Sequence, residues 1–325
     1  MTAQKHLKAL VRARMAHTGE SYTAARRHLV DARPAPALAP MGEFRAHDKH
    51  CMVVQFTPDD AHLLSGGFGG QARIWTPDGE LVGELSGHES SVNVIRVSDD
   101  GSMAITAASD KTVRLWDIPA RKEIAILGRH KKQVLALDLD VPRDRAWSGG
   151  HDGRLQAWSL SSHELVESFD LGGPVTSVAV RVADGTLAAT TVGAGISVRG
   201  SDGAELTRLA TEAKVTMASA WSADGSFMIA SAPAAATLWE TEGWEPVRSL
   251  SSGGGGVLPV ALSRDGSRIA LGWDNHVALW SADETEPPAI VAGLPKGVYG
   301  LAFSHRGTSL AMAAADGRVR SWRVS

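Results

Sequence analysis

The sequence predicts an all-β protein, a seven-bladed β-propeller closed by an N-terminal strand and preceded by a short α-helical hairpin. Three observations carry this. One phrase recurs seven times at a spacing of 40 to 42 residues: an apolar run, a turn, a second apolar run, then a short strand that in six copies ends in Trp. Short strands at a period of this length, with no helix-length segment inside the repeat, are the mark of sheets arranged radially. The last copy also lacks a fourth strand, and a fourth-strand sequence stands at the other end of the chain.

In chain order, residues 1–33 read as a basic helical hairpin. Leu7, Leu10, Val11 and Met15 form one apolar stripe, with Lys5, Lys8, Arg12 and Arg14 around it. His17-Thr18-Gly19-Glu20-Ser21 breaks the helix, Thr18 or Ser21 caps a second one, and Tyr22, Ala25 and Leu29 face one way from it. Seven Lys or Arg against Glu20 and Asp31 give this segment a net charge of +5, while the whole chain carries −3, so the remainder is acidic at −8. Residues 34–40, Pro34-Ala35-Pro36-Ala37-Leu38-Ala39-Pro40, read as a stiff extended linker. The propeller is expected over 41–325. Met41 to His47 reads like Val82 to His88, a fourth strand followed by the start of the next blade. Residues 41–46 are therefore expected to complete the last blade and to remove two open sheet edges.

The second copy shows the repeat best. Val92 to Val97 is apolar and β-branched, Ser98-Asp99-Asp100-Gly101 turns the chain, and Ser102 to Ala107 returns. Ser109-Asp110-Lys111 turns it again into Thr112 to Trp116, and Glu123 to Leu127 is the fourth strand. The first turn recurs as Asp184-Gly185, Asp224-Gly225, Asp265-Gly266 and Arg306-Gly307, where Gly supplies the positive φ.

On these residues the chain resembles the WD40 repeat family from about residue 41 to 325. Gly87-His88, Thr106, Asp110 and Trp116-Asp117 match the family pattern fully, and Arg129-His130, Ser148, Asp152 and Trp158 nearly so. Copy one has Ala46-His47, Ser65 and Trp75, with Gly69 in place of Asp. Copies six and seven keep Asp274 with Trp280 and Asp316 with Trp322, whereas in copies four and five Arg199 replaces Trp and Pro233 replaces Asp. The resemblance implies that His88, Thr106, Asp110 and Trp116, and likewise His130, Ser148, Asp152 and Trp158, form hydrogen-bonded chains inside their blades. The N-terminal segment also resembles a short helical module joined to unrelated domains in high-GC bacterial proteins, and the abundance of Ala, Arg and Gly points to such a genome.

His, Ser or Thr, and Asp are also the residue types of a hydrolytic triad. Their fixed offsets from Trp favour a structural network, and no oxyanion-donor motif accompanies them. No phosphate loop, His-Glu-x-x-His or paired Cys occurs, so no enzyme activity, cofactor or metal is expected. The glycine clusters 66–70 and 253–256 fit turns. Cys51, the single cysteine, heads an apolar strand and reads as core; with no membrane-length apolar stretch and no secretory h-region, a cytoplasmic setting is expected.

Binding to a protein or peptide remains. In the family, the residue before the turn Asp and those after the Gly-His tend to line the top entrance of the ring. Phe68, His50, His151, Lys131, Lys132 and Trp273 are the candidate partner-binding residues, Phe68 and Trp273 as aromatic anchors; the alternative for both aromatics is that they cover the ends of the blade core. Trp147 and Trp221 read as core. The chain is thus expected to be a non-catalytic protein-interaction scaffold. One rival is a nucleic-acid or ribosome-associated adaptor contacting phosphates through Lys8, Arg12, Arg14, Arg26 and Arg27, against which stands an ordinary solvated basic helix. The other is an enzyme site at the channel mouth.

Overall fold

The computed structural model describes residues 11–12, 15, 19, 37–210, 218–233, 235–251, 259–282, 288–294 and 297–325. Its strands form seven four-stranded antiparallel sheets. Blade one runs from Cys51–Phe56, innermost, through Leu63–Gly67 and Gln71–Trp75 to Leu81–Ser86, outermost. Five more blades repeat this order. The innermost strands of the seven blades touch their neighbours in cyclic order, the strand of blade seven (Val298–Phe303) against that of blade one.

Blade seven departs from sequence order. Its outermost strand is the N-terminal Leu38–Arg45, which pairs antiparallel with the last strand, Arg318–Val324. Glu43 lies opposite Arg320 and accepts from its Nε at 2.9 Å. The same pair recurs between third and fourth strands of blade one, where Glu84 lies opposite Arg73 and accepts from its Nε at 2.8 Å. Three residues assigned above to the linker, Leu38, Ala39 and Pro40, belong to this strand, because Leu38 to Pro40 find partners from Val324 to Trp322. Pro40 lacks an N–H, a lack tolerated on an outermost strand.

The apolar core lies between blades. Seven buried clusters fill the seven seams, each combining residues of two adjacent blades; Leu64, Ile74 and Leu85 of blade one, for example, pack with Val92, Ile95 and Trp116 of blade two. Trp147 is buried in the seam of blades three and four. Trp221 is half-buried, its Nε1–H donating to the Ala179 carbonyl at 2.9 Å and the Arg181 guanidinium lying 5.2 Å from its ring centre.

A second regularity is a pair of β-bulges, one in the innermost and one in the outermost strand, in blades one to four and seven. In five innermost strands the register skips one residue, Met52, Asn93, Leu135, Thr176 or Tyr299. In six outermost strands it skips Met41, Val82, Ile124, Val166, Leu206 or Val247. A bulge leaves its extra residue out of the ladder and re-aims its side chain.

Before the propeller, Val11, Arg12 and Met15 are helical, and the Gly19 N–H donates to the Met15 carbonyl at 2.9 Å with Gly19 at φ 69°. Lys8, Arg14, Arg26 and Arg27, like the expected second helix, lie outside the described residues. Arg12 is exposed. Apart from this segment, the helical structure among the described residues is one 3-10 turn, Val141–Arg143.

Candidate functional site

The polar chains come first, because they decide what the conspicuous His, Thr and Asp can do. In blade two the Trp116 Nε1–H donates to Thr106 Oγ1 at 2.7 Å, Thr106 Oγ1 lies 2.7 Å from His88 Nε2, and His88 Nδ1 lies 2.8 Å from Asp110 Oδ2. Burial keeps the His88 imidazole below its ordinary pKa despite the carboxylate. With His88 neutral, Nδ1–H donates to Asp110 and Thr106 donates to Nε2. Burial alone would raise the pKa of Asp110, but hydrogen bonds from Thr112, the Glu89 N–H and His88 outweigh it and hold it at about 2. Blade three repeats the chain through Trp158, Ser148, His130 and Asp152 at 2.7, 2.8 and 3.1 Å. In blade one His47 and Trp75 meet at Ser65, at 2.9 and 2.8 Å. The hydroxyls of Ser65, Thr106 and Ser148 belong to fully buried residues. Each is consumed by two partners within its blade, so these groups serve the sheet, and no substrate reaches them.

Two cavities open along the central channel. The bulge residues Met52, Asn93, Leu135, Thr176 and Tyr299 line a cavity of about 170 Å³ toward its top. They are fixed from behind: Asn93 Nδ2 donates to the Val134 carbonyl at 2.8 Å, and Thr176 Oγ1 lies 2.9 Å from Thr190 Oγ1. Below them the Arg96 Nε donates to Asp138 Oδ1 at 3.2 Å, and the Val180 N–H to Asp138 Oδ2 at 2.7 Å, tying blades two, three and four. Burial pushes the Asp138 pKa up, against the opposing pull of Arg96. The bottom mouth holds a larger cavity of about 480 Å³, walled by Arg181, Trp221, Arg264, Phe303 and His305 among others. Its cations are matched: Arg181 pairs with Asp184 at 2.5 Å, and Arg264 lies 3.7 Å from Asp99.

At the top rim of blades one, two, three and seven the residue before the turn is tied by its backbone to the neighbouring loop. The N–H groups of Phe68, Ser109, His151 and Ala315 donate to the carbonyls of His50, Ser91, Gln133 and Gly297, at 2.8 to 3.0 Å. Phe68 is 43% exposed, with its ring centre 4.9 Å from that of His50. His50 lies in turn 5.5 Å from Tyr299, itself 37% exposed. His50 Nδ1 is buried without a hydrogen-bond partner. His151, Lys131 and Lys132 are exposed on the same rim, two blades away.

Trp273 is not part of this surface. It is 7% exposed, belongs to the core between blades five and six, and stacks on His276 at 5.4 Å. The cause is the turn. In blades one to three the ladder ends at Gly66, Ala107 and Gly149, but in blade six it continues to a Trp273–His276 pair closed by Asp274–Asn275, which keeps Trp273 in the sheet. Tyr299 is absent from the sequence-derived rim set, which takes residues just after the Gly-His positions; its signal is the odd side chain inside Val298-Tyr299-Gly300-Leu301, at the place of Asn93 and Thr176.

Among the described residues no group of three or more His, Cys, Asp or Glu is arranged to hold a metal ion, and no helix is long and apolar enough to cross a membrane.

Comparison with known proteins agrees with this geometry. The family model "WD domain, G-beta repeat" matches residues 38–76, 79–117 and 290–323. Similar proteins include groucho of Drosophila melanogaster, 22% identical over 40% of this chain and 18% of its own length, and Polycomb protein esc of the same fly, 30% identical over 34% and 27%. Ribosome biogenesis protein YTM1 of Kluyveromyces lactis is 26% identical over 44% and 35%. The chain thus spans well under half the length of these relatives, all eukaryotic. Three repeats matched by the family model, seven four-stranded blades and the buried His–Ser/Thr–Trp chains together show WD40 repeats within a seven-bladed propeller.

Proposed function

We propose that the chain is a non-catalytic scaffold that holds a protein or peptide partner at the top rim of its propeller, with Phe68, His50 and Tyr299 as the anchor. The observation that carries this is the aromatic trio at the top rim, with Phe68 and Tyr299 exposed and half-buried His50 between them, beside loops pinned by backbone hydrogen bonds. Aromatic rings held in place by a rigid frame bury large area at small entropic cost, which is the property of interface anchors. The relatives support a presenting role: their names place the shared repeats in a Polycomb protein and in a ribosome biogenesis protein, so what is common is the frame. A reducing, cytoplasmic setting suits a chain whose one cysteine is buried, where burial pushes the thiol pKa up and keeps it inert.

The test is capture of partners from cell extract on the full-length protein, with Phe68→Ala and Tyr299→Ala beside it and a melting curve for each. Partners identified by mass spectrometry should be lost from both variants at an unchanged melting temperature. Retention of every partner by both variants would remove the top rim as the binding surface.

A further inference from the structure

The outer edges of the blades offer a natural internal control. In six of the seven outermost strands one bulge residue stands at the same register, and along the ring these are Met41, Val82, Ile124, Val166, Leu206 and Val247. Met41, Ile124, Val166 and Leu206 are 40 to 61% exposed, and Val82 is half-buried. Val247, in blade five, is 5% exposed. Something covers it that the others lack.

The following blade supplies part of such a cover, through the residue two positions after the closing residue of its third strand. Between blades one and two this is Ile118, which packs in the same cluster as Val82. Between blades five and six it is Ala282, the smallest side chain that can line a seam. Here the cluster also contains Val11, which is fully buried together with Val247, Leu250, Trp280 and Ala282, with Met15 packed against it. Val11 and Met15 are four apart on a helix and so share one face, while Arg12 beside them is exposed.

We propose that the outer slot between blades five and six is a helix-docking site, occupied by the chain's own N-terminal helix through Val11 and Met15. Its occupant is a helical segment with apolar residues four apart and the exposed Arg12 beside them. The site lies on the rim of the disc, away from the top entrance, so the two can be engaged together. A foreign helix of the same pattern would have to displace this one.

Hydrogen exchange on the full-length protein tests the idea. Val11→Asp should speed exchange of the strand Pro246–Ser251 by about tenfold, the scale set by uncovering one buried valine, and Arg12→Glu should leave it unchanged. Ala282→Ile copies Ile118 and fills the slot, so residues 11–19 should exchange faster while Pro246–Ser251 stays protected. In every variant Thr112–Asp117 of blade two is the reference for global folding. Equal exchange of Pro246–Ser251 in Val11→Asp and Arg12→Glu would overturn the proposal. So would an Ala282→Ile protein, folded by the reference strand, in which residues 11–19 are as protected as before; this second reading decides the matter even if Val11→Asp fails to fold.

Discussion

In blade two a hydroxyl, an imidazole and a carboxylate interrupt the hydrocarbon of the seam; at the register of Thr106, blades four, five and six carry Ala189, Ala230 and Leu271. In blade four Arg199 replaces the closing Trp, stacks its guanidinium 4.9 Å from the Phe169 ring and pairs with Glu205. Both halves build the same four-stranded sheet. The polar chain is therefore not needed to form a blade. What it adds is a fixed tie between the loop before the first strand and the turn before the third, since His88 and the Glu89 N–H both reach Asp110. The aromatic trio stands where blades seven and one meet, beside the tied blades two and three; the slot filled by Val11 lies in the untied half.

The sharpest break should come where the halves meet, at blade seven. Deleting residues 1–46 removes the strand that pairs with Arg318–Val324, and with it Phe44 from the core and Glu43 from Arg318 and Arg320. The loss should be on the order of 5 kcal/mol. Deleting 1–36 keeps that strand and should cost only the cover of Val11, about 2 kcal/mol. Thermal melts of the two truncations check this, and equal stability would mean that the N-terminal strand does not hold the ring.

Acid should separate the halves next. Burial, with Arg73 adding to it, holds the His47 pKa at about 4, whereas an unfolded histidine titrates near 6.5. Between these values the unfolded chain binds more protons than the native one, so this stability is full above about pH 6.5 and is lost as pH falls toward about 4, about 3 kcal/mol in all. Burial shifts His88 and His130 in the same direction. Melting at about pH 7.5 and about pH 5 should show the loss. His47→Gln should flatten the slope, and an unchanged slope would assign the acid sensitivity elsewhere.

A smaller effect probes the carboxylate alone. Asp110→Ala leaves His88 Nδ1 with only Thr112 beside it and unties the Glu89 N–H, at about 1 to 3 kcal/mol. Restoring the missing Asp in blade one is not the mirror image. Gly69 sits at φ 116°, and a Cβ there would stand 2.8 Å from the Gln71 side chain, so Gly69→Asp should destabilise by about 1 kcal/mol. Urea unfolding of both variants decides it, and a stabilised Gly69→Asp protein would show that the blade-one turn relaxes.

Much of this was legible in the sequence, and the limits have physical causes. The polar chains could be read because a hydrogen bond demands particular atoms at particular offsets, as His47, His88 and His130 stand 22 residues before Gly69, Asp110 and Asp152. Trp273 could not be placed, because an aromatic side chain before a turn satisfies either an interface or a core, and a turn closing one pair later decided for the core. Tyr299 was hidden by the bulge: strict alternation assigns each residue a face, and an inserted residue breaks that assignment locally. Val11 is buried in one cluster with Ala282, some 270 residues away, a relation that no local pattern reports.

The pairing of Glu43 with Arg320 also sets an order in time. The two residues are 277 positions apart. At about 5 to 20 residues per second a ribosome needs roughly 15 to 55 s to travel that distance. Throughout that interval the earliest strand of the propeller has left the ribosome while its partner does not yet exist. Blades one to six can form from local hairpins during this time, but blade seven waits until Arg318–Val324 has been made. The strand made first is thus the last to be used, and a waiting edge of eight residues is what a chaperone, or a neighbouring copy on the same message, would meet during synthesis.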